Sequence, residues 1–149
     1  MAFLQGRVAF LRFLPITLKA LKPKETDFEP RTLGEHVKRC RLIRKFTQKE
    51  TAKFLRVSPN TVLNWEKGKS EPPIVSIPAI LQFLDYDPFP EPKSLPERLL
   101  AKRRAMGWPI EEAARYVGVD EGTWGVWENG TTVPKGRHLL LLDAFLSKR

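Results

Sequence analysis

The sequence predicts an all-α protein made of two small helical units in tandem, each with four to five helices. Signals for helix starts, followed by apolar residues at helical spacing, recur along the 149 residues, and no stretch shows the sustained alternation of a strand. The second half also repeats the first. Residue n matches residue n+62 without a gap from Arg31 to the end of the chain, and 13 of these 57 pairs are identical. A repeat of this kind predicts two copies of one folded unit.

Helix starts are marked by capping boxes, in which a Ser or Thr and a Glu three residues later satisfy the free amides of the first turn. These pairs are Thr32 with Glu35, Thr47 with Glu50, and Ser94 with Glu97. Ser58 and Pro59 predict a further helix start, because Ser caps well and Pro is favoured in the first turn. That helix is expected to stop at Gly68, and the apolar stretch 75–84 predicts another helix.

The repeat and the composition also predict domain boundaries. The first unit is expected at 31–87 and the second at 94–149. The intervening residues 88–93, in which every second residue is a proline, are expected to form a short, semi-rigid linker. Residues 1–30 are expected to be a poorly ordered leader. A membrane-surface helix, a packing arm or a mis-assigned start are the open alternatives for this basic, apolar segment.

Charge and cysteine content narrow the classes of function. The net charge of +9 favours a polyanionic partner. Cys40 is the only cysteine, which excludes a disulfide framework and a cysteine-based zinc site and fits a cytoplasmic setting. No apolar run is long enough to span a membrane. The two histidines, His36 and His138, fall at unrelated points of the repeat, so we expect no catalytic site, no metal and no cofactor.

Residues 46–73 read FTQKETAKFLRVSPNTVLNWEKGKSEPP, with a Thr-Gln helix start, a small Ala52, a hydrophobic Val57 and a WEKG ending. This stretch resembles the helix-turn-helix of the Cro and phage-repressor (XRE-type) family of bacterial DNA-binding regulators. Residues 109–134, PIEEAARYVGVDEGTWGVWENGTTVP, resemble it more loosely. The resemblance implies two repressor-like helix-turn-helix domains and a cytoplasmic, sequence-specific regulator of transcription that binds double-stranded DNA. A protein-interaction or antitoxin-like module that uses the helical faces is the alternative.

The resemblance also implies which residues contact DNA. The helix at 59–66 would enter the major groove, while the start of the preceding helix would lie on the phosphate backbone. The implied base-reading residues are Asn60, Thr61 and Asn64, with Pro59 offering apolar contact only. The implied phosphate contacts are Gln48, Lys49, Ser58, Lys67 and Lys69. Arg56 occupies the turn position where related proteins often have glycine, so a left-handed backbone there would be slightly strained.

The resemblance also implies two ion pairs that hold the helices of each domain together. The pairs are Arg41 with Glu66, and Arg103 with Glu128 in the second copy. The alternative is that these residues are solvated surface charges.

The second copy keeps the scaffold residues and loses the implied DNA-reading residues. Gln48, Lys49, Ser58, Pro59, Asn60 and Asn64 become Ile110, Glu111, Asp120, Glu121, Gly122 and Val126. The new carboxylates would repel phosphate, and Trp124, Val126 and Ile110 are expected to place apolar groups on this face. Three interpretations stay open: drift on a redundant surface, a contact face for a homodimer formed through the second domain, or docking of both copies on DNA.

Overall fold

The structure is a computed structural model that describes residues 25–147. The prediction of a leader at 1–30 therefore falls mostly outside the described residues. Within 25–147 the secondary structure consists of α-helices and one short 3-10 helix, without a strand, so the all-α class is confirmed. None of the helices in this range has the length and apolar character needed to cross a membrane.

The helices follow one another with short connections. They are α1 (Leu33–Ile43), α2 (Gln48–Leu55), α3 (Pro59–Glu66), α4 (Ile77–Leu84), α5 (Leu95–Met106), α6 (Ile110–Val117), α7 (Glu121–Glu128) and α8 (Arg137–Ser147), and the 3-10 helix is Ile74–Ser76. All three predicted capping boxes are present at the starts of α1, α2 and α5. Ser58 caps α3 and Pro59 is its first residue, as predicted. Gly68 lies just beyond the end of α3 with φ of +65°.

Two separate apolar clusters hold these helices together. Helices α1 to α4 enclose one cluster and α5 to α8 enclose the other. Eight buried positions of the first four helices have a buried counterpart 62 residues later. The pairs are Val37 and Leu99, Thr51 and Ala113, Ala52 and Ala114, Leu55 and Val117, Val62 and Trp124, Trp65 and Trp127, Ile80 and Leu142, and Phe83 and Phe145.

Left-handed backbone recurs at the same spacing. The pairs with positive φ are Lys45 and Gly107 (58° and 68°), Arg56 and Gly118 (56° and 82°), and Gly68 and Gly130 (65° and 73°). The first set of helices therefore has a side chain at two positions where the second set has glycine. The strain predicted at Arg56 has a structural basis, because its φ of 56° lies in the left-handed region.

Replacing Arg56 by glycine is expected to stabilise the first unit by about 0.5–1 kcal/mol. Relief of the left-handed backbone is worth about 1–2 kcal/mol, and the extra freedom of glycine in the unfolded chain offsets part of it. The free energy of unfolding in urea measures the change. Gly118→Arg is the matched control and should lower stability, since it introduces the same strain where no atom lies within 4 Å of the new Cβ. A loss of stability in Arg56→Gly would contradict the prediction.

The two sets of helices contact each other through α4, the short 3-10 helix and α5. The contact is tight at Gly107, where an added Cβ would lie 2.9 Å from Pro78 Cγ. Phe89, from the segment between the two sets, lies under the Arg104 guanidinium at 4.1 Å from the ring centre. Residues 88–93 form no helix. The boundaries 31–87, 88–93 and 94–149 stay a prediction.

Candidate nucleic-acid interface

Helices α2 and α3 form a tight pair joined by a three-residue turn. Ala52 is buried where they meet, and its carbonyl accepts a 3.0 Å hydrogen bond from the Val57 amide in the turn. A small residue at this point lets the two helix backbones approach closely. The apolar side of α3 packs Val62 and Trp65 into the first cluster, so its opposite side faces solvent.

The exposed side of α3 carries the residues that were predicted to read bases. Asn60 is exposed, while Thr61 and Asn64 are half-buried. The two asparagines are four residues apart and so share one helix face. Within residues 25–147, neither asparagine side chain forms a hydrogen bond, and both amides are free to bond a ligand. The Thr61 hydroxyl lies 2.8 Å from Ser58 Oγ, which leaves the Thr61 methyl group for outside contact.

The residues predicted to contact phosphate differ in their exposure and in whether their polar groups are already hydrogen-bonded. Lys49, Lys67 and Lys69 are exposed. Ser58 is exposed but its Oγ already accepts from the Thr61 amide at 3.1 Å. Gln48 is half-buried and its Nε2 donates to Glu66 Oε2 at 2.9 Å. Because a primary amide has two N–H groups, Gln48 has one hydrogen left for a phosphate. The hydrogen bond from Gln48 to Glu66 was not predicted from the sequence.

The Arg41 and Glu66 side chains form a bidentate ion pair between α1 and the end of α3. Arg41 Nε lies 2.6 Å from Glu66 Oε1, and Nη2 lies 2.9 Å from Oε2. Arg41 also donates to the Phe46 carbonyl at 3.1 Å. The Glu66 side chain is 3% exposed and that of Arg41 is 13% exposed, so these residues are not solvated surface charges. The pair fixes the end of α3 against the scaffold.

An equivalent pair occurs in the second set of helices. Arg103 Nε and Nη2 lie 2.8 Å and 2.6 Å from the two carboxylate oxygens of Glu128. Trp124 Nε1 supplies the third hydrogen bond at 2.7 Å, where the first set uses Gln48. Burial alone would raise the pKa of Glu128, but the hydrogen bonds from Arg103 and Trp124 outweigh it and leave that pKa below its usual value.

The prediction of an apolar face at the second set of reader positions is wrong for Trp124. Its side chain is fully buried, and the residue is the counterpart of the core residue Val62. Ile110 is half-buried and packs against the second cluster. Val126 is the member of the three that is exposed. This surface is therefore not a broad apolar contact face.

The two equivalent surfaces carry opposite charge. Residues 48–69 around α2 and α3 expose five bases and one acid, whereas the matching residues 110–131 around α6 and α7 expose one base and four acids. The first group is Lys49, Lys53, Arg56, Lys67 and Lys69 with Glu50, and the second is Arg115 with Glu111, Glu112, Asp120 and Glu121. All of these residues are exposed. A phosphate backbone would be attracted to the first surface and repelled by the second.

The two histidines each contact an aromatic residue, and the cysteine lies in the core. His36 Nδ1 lies 2.8 Å from the Tyr86 hydroxyl, and burial lowers the pKa of His36. The His138 ring lies against Trp127. Cys40 is buried and burial raises the pKa of its thiol. Across 25–147 there is no group of three or more His, Cys, Asp or Glu residues able to hold a metal ion.

One residue that positions α3 was missed by the sequence reasoning. Gly34 is buried in α1 directly against α3, and an added Cβ would lie 2.0 Å from the Trp65 carbonyl oxygen. A glycine inside an otherwise regular helix costs stability unless the packing requires it. A glycine placed inside a helix despite this cost is the sequence signal that could have identified Gly34.

Comparison with known protein families finds a match in the first set of helices. Residues 37–89 match a helix-turn-helix family model. No curated protein and no solved structure matches the chain. The match covers most of α1 and all of α2 to α4, and it does not extend to α5 to α8. The part of the chain that presents Asn60 and Asn64 is thus similar to the helix-turn-helix family, whose members are regulators that bind double-stranded DNA.

Proposed function

We propose that the protein is a cytoplasmic, sequence-specific regulator of transcription that inserts α3 into the major groove of double-stranded DNA. The observation that carries the proposal is the pair of unpaired amides of Asn60 and Asn64, one turn apart on the outer face of a short capped helix. Five exposed bases surround that face. The helix-turn-helix match over the same residues supports the proposal.

The chemistry of the face suggests what it recognises. An Asn amide can bond adenine through two hydrogen bonds, and the Thr61 methyl can pack on a thymine methyl. Pro59 adds apolar contact only. We therefore expect A·T base pairs in the preferred site. Phosphate contacts would come from Lys49, Ser58, Lys67, Lys69 and the remaining amide hydrogen of Gln48, with the start of α2 adding a favourable dipole.

The second set of helices is, in this proposal, a diverged copy of the first. The eight pairs of buried positions, the three pairs of left-handed residues and the two bidentate ion pairs support this view. The acids around α6 and α7 disfavour phosphate contact, so the copy at 94–149 would serve as a scaffold or for association, and base reading would be left to 31–87.

Replacing Asn60 or Asn64 by alanine is expected to weaken binding to the preferred site by about 1–3 kcal/mol and to relax choice at one base pair. The preferred site is first selected from random DNA, and affinities are then measured on that site and on single-base variants. Val126→Ala is the matched control at the position equivalent to Asn64 and should leave base preference unchanged. Unchanged preference in both asparagine variants would refute the assignment of these residues as readers.

The alternative is a protein-interaction or antitoxin-like module that uses the same helical faces. Salt dependence separates the two functions, because each neutralised phosphate adds about −0.9 to the slope of log K against log salt concentration. A regulator should show a steep slope and a marked preference for one sequence. An interaction module should bind DNA weakly and without sequence preference.

A further inference from the structure

A cleft lies between the two sets of helices. Its walls come from α1, α3, the 3-10 helix and α4 on one side and from α5 on the other. Its volume is about 480 Å³, which is the size of a typical small-molecule site. We call it the junction cleft, and its apolar lining residues are Leu33, Trp65, Ile74, Ile77, Phe89 and Leu100. A small molecule in this cleft would contact both sets of helices.

The junction cleft contains a half-buried guanidinium that lacks a charged partner. Arg104 projects from α5, and its guanidinium lies 4.1 Å from the ring centre of Phe89. Among residues 25–147, no group forms a hydrogen bond or an ion pair with the Arg104 side chain. Burial, and after it the neighbouring charge of Arg103, lowers the pKa of Arg104. An arginine keeps its proton even so, and a charge taken out of water is favourable only when it is paired.

The other polar groups of the junction cleft also favour an anion. Arg31 and Arg103 line it together with one acid, Glu71. The lining includes Leu33 and Gly34 in the first turn of α1, whose amides form no hydrogen bond inside the described range 25–147. First-turn amides carry a partial positive charge. They add to the attraction that the arginines exert on a negative group.

A second cleft on the other side of Phe89 has the opposite charge balance. It has a volume of about 610 Å³ and also borders Arg104. Its remaining charged residues are Asp87, Glu91, Lys93 and Glu97. Three acids against two bases disfavour an anion there. The missing partner of Arg104 is therefore expected in the junction cleft.

We propose that the junction cleft binds a small organic carboxylate with an apolar body. The guanidinium of Arg104 donates two parallel hydrogen bonds to the carboxylate, the geometry in which these two planar groups match. The apolar body packs against Trp65, Phe89 and Leu100. Because α5 supplies Arg104 and Leu100, the second set of helices forms half of a ligand site. This role is separate from base reading and does not rest on DNA binding.

Titration of the full chain with benzoate, followed by NMR without DNA, tests the site. Benzoate carries one carboxylate on an apolar ring and should bind saturably in the millimolar range, as expected for so small a ligand. The amide signals of Gly68 and Leu100 and the Nε–H signal of Arg104 should shift together, while that of Asn60 on the outer face of α3 should not. Benzamide lacks the charge and inorganic phosphate lacks the apolar body, so each should bind at least about tenfold more weakly.

Substitutions on α5 test the assigned residue. Arg104→Gln should weaken benzoate binding about tenfold or more, the usual loss when a hydrogen-bonded charge is removed. Arg104→Lys keeps the charge without the paired geometry and should also bind more weakly than the wild type. Arg98→Gln is the matched control, because Arg98 is exposed on the same helix outside both clefts, and it should keep the wild-type affinity. Circular dichroism checks that the variants remain folded.

Several results would overturn the ligand site. They are a lack of saturable benzoate binding in the millimolar range, signal shifts confined to the basic residues around α3, and benzamide or phosphate binding as tight as that of benzoate. Wild-type affinity in Arg104→Gln, or equal weakening by Arg98→Gln, would do the same. None of these outcomes bears on the assignment of Asn60 and Asn64 as base readers, since no DNA is present.

Discussion

Replacing Gly34 by alanine is expected to destabilise the first unit by about 3 kcal/mol or more. The new Cβ would lie 2.0 Å from the carbonyl oxygen and 2.5 Å from the carbonyl carbon of Trp65. Both atoms belong to the backbone of α3, so no side-chain rotation relieves the overlap and α1 must move away from α3. Because Arg41 on α1 holds Glu66 at the end of α3, the same movement strains the buried ion pair.

Urea unfolding followed by circular dichroism measures the loss. Gly125→Ala is the matched control, because Gly125 lies in α7 and no atom is found within 4 Å of its added Cβ. That substitution should stabilise the protein by up to about 1 kcal/mol, since alanine is the better helix former. Gly34→Ala as stable as the wild type would show that the close approach of α1 and α3 is not needed.

The helices could be predicted from the sequence because their signals are local. A capping box needs four consecutive residues, and each of the three boxes is present where it was predicted. The start of the helix predicted at 75–84 is less regular. A 3-10 helix at Ile74–Ser76 precedes α4, which begins at Ile77 ahead of Pro78. Proline fits the first turn of a helix, and this sets the start of α4.

The predictions that failed concern residues whose surroundings depend on which face of a helix they occupy or on partners far away in the sequence. Trp124 was placed on the reader surface because it lies in the helix that matches α3. The phase of that helix assigns it to the core, since its counterpart is Val62. Gln48 was expected to face phosphate, but its amide is partly used by Glu66, 18 residues away. Gly34 has Pro96 as its counterpart, so the repeat gave no hint of the close contact.

Replacing Glu66 by alanine is expected to cost about 3–5 kcal/mol, the usual effect of leaving one member of a buried ion pair without its partner. Arg41 would lose both of its bonds to the carboxylate, and Gln48 would lose the third. A unit of this size has a total stability of about 5–15 kcal/mol. The loss should therefore remove a large part of this stability, and DNA binding should fall only as far as the folded fraction does.

Two controls separate this effect from a general sensitivity to lost charge. Glu29→Ala removes an exposed partner of Arg39 at 3.9 Å and should cost less than about 1 kcal/mol. The double replacement Arg41→Met with Glu66→Leu should recover most of the stability, since no unpaired charge then remains buried. If Glu66→Ala costs no more than Glu29→Ala, the pair does not hold α3 in place. A double variant that regains stability but not base preference would show that the ion pair orients α3 as well as stabilising it.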